Sequence, residues 1–209
     1  MFIIDFILNI DTHLGDLITN YGTLVYAFLF IIIFVETGLV VMPFLPGDSL
    51  LFAAGAFSAL GSLNLFVTLS LLSLAAILGD TANYWIGHFF GQKILQNPKI
   101  PINQSHIDQT NKFFEKHGGK TIFLARFVPI VRTFAPFVAG IGKMNYPTFI
   151  SYNFIGGLVW VFLFTLLGYF FGNVPAVKEN FTLAILAIIF LSILPMLLHF
   201  LQNPKKSSN

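Results

Sequence analysis

Long runs of apolar residues without a charged side chain dominate this sequence and restrict the environment in which it can fold. Hydrophobic residues make up 56% of the chain and charged residues only 10%, and the mean hydropathy is +0.81. Charged residues supply about a quarter of a typical soluble domain. A helix of about 20 apolar residues crosses a bilayer. We therefore predict an all-α polytopic membrane protein in which residues 1–209 form a single membrane domain.

Charged and proline-rich interruptions divide this domain into segments of different kinds. Four apolar runs are long enough for full transmembrane helices, namely residues 17–35, 63–90, 146–172 and 181–201, and of these only 63–90 contains an Asp, Glu, Lys or Arg side chain, namely Asp80. Two further segments are short and broken by proline, namely residues 37–60 and 121–142. Irregular backbone at membrane depth is tolerated where it is buried in protein or lines a wet cavity, so we interpret these two segments as re-entrant hairpins. Short tilted helices are the alternative.

Lysine residues are distributed unevenly over this topology. One side would hold both termini and a polar loop or surface helix at residues 92–120, with these lysines: Lys93, Lys99, Lys112, Lys116, Lys120, Lys143, Lys205 and Lys206. The other side would hold only Lys178. Because cytoplasmic loops are enriched in Lys and Arg, the lysine-rich side is predicted to be cytoplasmic. The first hairpin would then enter from outside and the second from the cytoplasm.

A weak internal repeat agrees with this topology. Residues 52–57 resemble residues 137–142, and residues 87–91 resemble residues 168–172. The order is the same in both halves, and the predicted topology runs the two copies in opposite directions. Many secondary transporters build a site at the membrane midplane from inverted repeats with broken helices. The sequence therefore predicts an inverted repeat of hairpin plus transmembrane helix.

Two carboxylates lie on either side of the break in the first hairpin. Glu36 and Asp48 are separated by a segment that contains Pro43, Pro46 and Gly47. This break can fold the chain back and bring the carboxylates together, and one of two carboxylates that share a buried site can carry a proton. We predict a role in proton coupling. The alternative is that both residues mark helix ends at the lipid–water interface.

Two arginines occupy the second hairpin. On a continuous helix, Arg126 and Arg132 would point roughly 240° apart, but Pro129 interrupts the helix and can let them converge. The planar guanidinium matches phosphate oxygens, so the pair is predicted to bind a phosphate headgroup. Alternatively, the arginines reach the lipid headgroups or neutralise Glu36 and Asp48.

Other polar residues near these segments are candidate supporting members of the site. Asp80 lies in an apolar span, with Asn83 and Tyr84 one helical turn further on. Ser49 follows Asp48 directly. An aspartate inside a span needs a partner or a function.

Together these motifs resemble the bacterial DedA family over roughly residues 20 to 175. The matching signatures are Glu36 with the run from Pro43 to Asp48, the run from Gly79 to Gly91, and the run from Phe123 to Arg132. The resemblance implies a multi-pass protein of the bacterial inner membrane with two re-entrant hairpins, related to the VTT-domain scramblases of eukaryotes. It also implies a role in returning undecaprenyl phosphate across the membrane. Many members carry Arg where this chain has His88, which puts a phosphate contact at that position in doubt.

The sequence is thus interpreted as a proton-coupled translocase for a lipid carrier, and not as an enzyme. Its expected partners are protons and a phosphorylated isoprenoid or other membrane lipid, with no nucleic acid; a homo-oligomer is left open. No cofactor is expected, because there is no P-loop and no metal-ligand cluster. Two alternatives stay open. One is a membrane pyrophosphate-lipid phosphatase with Ser49 as nucleophile, and the other is a proton-coupled exporter of small solutes or ions.

Overall fold

The computed structural model describes residues 10–39, 47–95, 104–172 and 174–175, and over these residues the backbone forms helices joined by turns and short irregular segments, without any strand. The helical fold predicted from composition is confirmed. The helices are α1 (Ile10–Tyr21), α2 (Val25–Gly38), α3 (Gly47–Ala59), α4 (Leu65–Leu95), α5 (Gln104–His117), α6 (Thr121–Ala125), α7 (Pro129–Ile141) and α8 (Tyr146–Phe171). Short 3-10 helices at Gly22–Leu24 and Gly118–Lys120 precede α2 and α6.

Three helical segments are long and apolar enough to cross a membrane, namely Gly15–Gly38, Leu65–Gly91 and Tyr146–Phe171. They overlap three of the four spans predicted from sequence, and the fourth, residues 181–201, lies outside the described residues. The first segment is not one uninterrupted helix. Gly22 separates α1 from α2 with a left-handed backbone (φ +53°), which glycine adopts without steric cost.

The first half of the chain places α2 along the first half of the long helix α4. The backbone N–H of Asn64 donates a hydrogen bond of 2.7 Å to Tyr26 Oη, which joins the starts of the two helices. At the other end of α2, Gly38 packs against the backbone of Gly79, near the midpoint of α4. Helix α2 therefore runs in the same direction as α4 and ends halfway along it.

Helix α3 begins where α2 ends and runs back toward the start of α4. The Gly47 N–H donates to Glu36 Oε1 at 3.3 Å, and the turn after α3 closes with a bond from the Leu63 N–H to the Phe57 carbonyl oxygen. The predicted break residues Pro43 and Pro46 lie outside the described residues. Helices α2 (residues 25–38) and α3 (residues 47–59) thus lie on either side of the break. The sequence predicted instead a span that ends at residue 35 and a hairpin that begins at residue 37.

The second half repeats this arrangement along α8. Helix α6 ends beside the middle of α8, where Gly156 and Gly157 leave room for the side chain of Arg126. The chain then breaks at Val128, which has an extended backbone, and Pro129 starts α7. Proline suits the first position of a helix because its fixed φ is helical and its missing N–H has no partner there. Helix α5, within the predicted loop or surface helix, covers α7 through Ile107.

Helices α3 and α7, which run back after each break, each pack against the long helix of the other half: α3 against α8, and α7 against α4. A Cβ at Gly55 on α3 would collide with the Thr165 carbonyl oxygen on α8, and one at Gly168 would collide with the Phe52 carbonyl oxygen. Small residues at a helix interface allow the two backbones to approach this closely. The halves of the chain are therefore interlocked.

Helices α7 and α4 make the corresponding contact. A Cβ at Gly140 on α7 would collide with the Tyr84 carbonyl oxygen on α4, and one at Gly87 would collide with the Phe137 carbonyl oxygen. These glycines occupy the positions that match Gly55 and Gly168 in the internal sequence repeat. Helix α3 therefore begins near the middle of α4, and α7 begins near the middle of α8.

Candidate functional site

One guanidinium joins both predicted acidic residues. Arg132, in the first turn of α7, places Nη2 2.5 Å from Glu36 Oε1 and Nη1 3.0 Å from Asp48 Oδ1. Glu36 lies in the last turn of α2 and Asp48 in the first turn of α3. The ends of three helices therefore deliver one cation and two anions to a single point. We call these three residues the outer cluster.

The second predicted arginine belongs to a separate ion pair. Arg126 Nη2 lies 2.5 Å from Asp80 Oδ2 on α4 and 2.6 Å from Asn153 Oδ1 on α8. The amide nitrogen of Asn153 donates in turn to the Ile77 carbonyl oxygen at 3.0 Å. We call Arg126, Asp80 and Asn153 the inner cluster. Arg126 Nε and Nη1 are buried without a hydrogen-bond partner among the described residues.

Trp160 on α8 lies against both clusters. The Cζ atoms of Arg132 and Arg126 lie 4.2 and 5.9 Å from the centroid of its ring, within the range of a cation–π interaction. Its Nε1 donates a hydrogen bond of 2.7 Å to Asp48 Oδ1. The side chain is fully buried and lies beside both arginines and one carboxylate.

Burial increases from the outer to the inner cluster. The side chains of Arg132 and Asp48 are 13% and 16% exposed, whereas those of Arg126 and Asp80 are 2% and 6% exposed. The two clusters together contain three carboxylates and two guanidiniums, so full ionisation would leave one excess negative charge in a buried setting. An uncompensated buried charge is costly, and one bound proton would neutralise the site.

The other predicted site residues take up different positions. Gly47 packs directly against the Glu36 carboxylate, where a Cβ would collide with it. Asn83 Nδ2 donates to backbone carbonyls of α2 and α7. Ser49 is fully buried, and its Oγ has no hydrogen-bond partner among the described residues. Tyr84 donates to the Met144 carbonyl oxygen and packs in an apolar cluster with Ile122 and Phe149.

Two residues of the site were missed from sequence, namely Asn153 and Trp160. Both lie in the uncharged span that became α8. A lone amide or indole N–H inside such a span must find a polar partner, which is the signal that could have identified them. Within the described part of the chain, no group of three or more His, Cys, Asp or Glu side chains could hold a metal ion.

Comparisons with known proteins agree with the motifs. The VTT domain profile matches residues 45–170, more than half of the chain. The protein DedA of Escherichia coli K12 is 56% identical over 210 residues, which cover 99% of this chain and 96% of the relative. The chain belongs to the DedA family. Like other members of that family, it is a membrane protein.

More distant relatives also match most of the chain. The uncharacterized membrane protein Rv0364 of Mycobacterium tuberculosis H37Rv is 44% identical over 180 residues, covering 85% of this chain and 79% of the relative. The inner membrane protein YqjA of Escherichia coli K12 is 37% identical over 153 residues, covering 73% and 70%. No solved structure matches the chain.

Proposed function

We propose that this protein moves a phosphorylated isoprenoid lipid, undecaprenyl phosphate, across the bacterial inner membrane in a proton-coupled cycle. The observation that carries the proposal is the position of Arg132. This residue holds two carboxylates at the more exposed end of a buried charge cluster. A cation with two exchangeable carboxylate partners can accept another anion in their place.

The proposed cycle exchanges carboxylate for phosphate on Arg132. The guanidinium fork binds carboxylate and phosphate oxygens with the same geometry. Protonation of Glu36 and Asp48 would leave Arg132 without a counter-ion, and an unpaired buried charge is unfavourable, so phosphate would bind there. Release of the protons would restore the carboxylate pairs and displace the phosphate. The lipid headgroup and the protons therefore occupy the site in turn.

Arg126 would make the second phosphate contact. Its Nη2 is held by Asp80 and Asn153, but Nε and Nη1 remain as donors without a partner among the described residues. Because Arg126 is more deeply buried than Arg132, phosphate would meet Arg132 first. The isoprenoid tail would remain in lipid while the headgroup is bound.

The proposed topology has two re-entrant hairpins in an inverted repeat, with residues 92–120 and the C-terminus in the cytoplasm. The predicted cytoplasmic N-terminus is not part of this topology, because α2 starts beside the start of α4 and ends halfway along it. In support, α2 and α3 turn back halfway along α4, and α6 and α7 turn back halfway along α8. The matched glycine contacts of α3 with α8 and of α7 with α4 also support the repeat. Such an arrangement would place the ion pairs near the membrane midplane.

Transport is favoured over the phosphatase alternative by the surroundings of Ser49. A serine nucleophile needs a base within hydrogen-bond reach, and the Ser49 Oγ has no hydrogen-bond partner among the described residues. An exporter of small solutes would have no evident use for a guanidinium that two carboxylates share. We therefore propose binding and translocation without covalent chemistry.

The test is reconstitution in vesicles that contain undecaprenyl phosphate, with phosphate accessibility followed on each leaflet with and without a pH gradient. We expect movement that depends on the gradient, and loss of that dependence in the double variant Glu36→Gln with Asp48→Asn. Glu115→Gln, at an exposed carboxylate on α5, is the matched control and should behave like the parent protein. Gradient dependence that survives in the double variant would exclude both carboxylates as proton carriers. Phosphate release from a pyrophosphate lipid, or proton uptake without any lipid, would favour the alternatives.

A further inference from the structure

We propose that Asn83 is a positioning residue that holds Glu36 and Arg132 at ion-pair distance across the two halves of the chain. The inference rests on the proposed function, because it explains how Glu36 and Arg132 return to the same distance after each exchange of carboxylate for phosphate. Asn83 lies near the middle of α4 and is fully buried. It touches the backbone beside each member of the pair.

The amide nitrogen of Asn83 makes two hydrogen bonds to backbone carbonyls. Nδ2 donates to the Thr37 carbonyl oxygen at 3.2 Å and to the Thr133 carbonyl oxygen at 2.9 Å. Thr37 directly follows Glu36 on α2, and Thr133 directly follows Arg132 on α7. One nitrogen atom therefore ties together the two backbone segments whose side chains form the 2.5 Å contact.

The orientation of this amide follows from its surroundings. If the amide were rotated by half a turn, Oδ1 would face two carbonyl oxygens and both hydrogen bonds would be lost. In the observed orientation, Oδ1 is buried without a hydrogen-bond partner among the described residues. The site thus uses the two donors of the amide and leaves its acceptor unused, which is consistent with a role that depends on the NH₂ group.

The carbonyl groups explain why such a tie is needed. Thr37 lies in the last turn of α2, where backbone carbonyls have no partner within the helix. Helices α2 and α7 come from different halves of the chain and meet at this point through α4. Without Asn83, the Glu36 and Arg132 backbones could separate each time the ion pair opens, and the pair would not re-form at the same distance.

The test measures the interaction between Glu36 and Arg132 without any lipid substrate. A double-mutant cycle of Glu36→Gln and Arg132→Gln, read as shifts in thermal midpoint of the purified protein, gives the coupling between the two residues. The same double-mutant cycle is then measured in proteins that also carry Asn83→Ala or Asn83→Ser. The serine hydroxyl keeps one hydrogen-bond donor at this position. Ser73→Ala is the control, since Ser73 is buried on the same helix and its Oγ has no hydrogen-bond partner among the described residues.

We expect Asn83→Ala to reduce the Glu36–Arg132 coupling to less than half and to lower gradient-dependent lipid movement at least tenfold. In Asn83→Ser the Glu36–Arg132 coupling should lie between the values for Asn83→Ala and for the parent protein. If Asn83→Ala does not fold, the coupling in Asn83→Ser is the test. Ser73→Ala should leave the coupling unchanged. A coupling that is unaltered in the Asn83 variants would overturn the inference, even if those variants are less stable. Because the coupling is measured without lipid, it tests Asn83 even if the parent protein moves no lipid phosphate.

Discussion

Trp160 Nε1 donates a hydrogen bond to Asp48 Oδ1, the same oxygen atom that lies 3.0 Å from Arg132 Nη1. The indole belongs to α8 and the carboxylate to α3, so this bond crosses between the two halves of the chain. The ring also lies against the guanidinium that Asp48 binds. One side chain therefore contacts both the anion and the cation of the outer cluster.

Replacing the indole of Trp160 by a smaller ring without an N–H should weaken the site. We expect Trp160→Phe to lower lipid movement about tenfold, because a hydrogen bond to a charged group contributes about 1.5–3 kcal/mol. The other tryptophan of the chain supplies the control. Trp85→Phe changes a partly exposed indole that packs among aromatic rings on α4, and it should lower lipid movement only slightly. Equal losses in both variants would argue against a specific role for the Trp160 N–H.

Replacing either arginine by lysine should impair transport although the charge is kept. An ammonium cannot reproduce the two-pronged contact of Arg132 with Glu36 and Asp48, nor its stacking on Trp160. We expect Arg132→Lys and Arg126→Lys each to lose most of the vesicle activity at equal membrane abundance. Full activity in both would show that only the charge matters.

Asp80 and Glu36 should differ in their effect on stability. Asp80→Asn leaves Arg126 charged and almost completely buried, which should cost about 3–5 kcal/mol. Glu36→Gln leaves Arg132 with Asp48 as a partner, so it should cost much less. Thermal unfolding of the purified variants measures this order. The reverse order would mean that the outer cluster, and not the inner one, holds the halves together.

The glycine contacts between the halves should tolerate no side chain. Gly55→Ala and Gly140→Ala each place a Cβ against backbone atoms that cannot easily move, and each should lower stability by about 1–3 kcal/mol. Gly15→Ala is the control, because its Cβ would make only an ordinary 3.6 Å contact with Phe57. If both interface variants unfold at the same temperature as the parent protein, the helices do not pack as closely as described at Gly55 and Gly140.

The proposed topology predicts which side of the membrane exposes particular residues. The chain contains no cysteine, so single introduced cysteines report without background. Ser62→Cys, in the exposed turn after α3, should react with an impermeant reagent from outside, and Asn111→Cys, exposed on α5, only from the cytoplasm. Labelling of both from the same face would contradict the inverted arrangement.

The amino-acid sequence indicates the class of fold and the ionisable groups of the candidate site. Composition predicts a helical membrane protein, and the comparisons and the helical structure confirm that much. The charged residues of both clusters stand out in sequence, because ionised side chains are costly in apolar segments. Which of these charged residues form ion pairs with each other could not be predicted from the sequence. Helical periodicity shows which residues share a face of one helix, but it does not show which face of another helix lies opposite.

Which charged side chains pair depends on how the helices pack. Because α3 packs on α8 and α7 packs on α4, Arg132 reaches Glu36 and Asp48 while Arg126 is held by Asp80. These partners are far apart along the chain, and close packing of backbones at glycine brings them together. The same packing brought Trp160 into the site from a span that contains no charge. Local sequence specified the ionisable groups, and the interlocking of the two halves specified their partners.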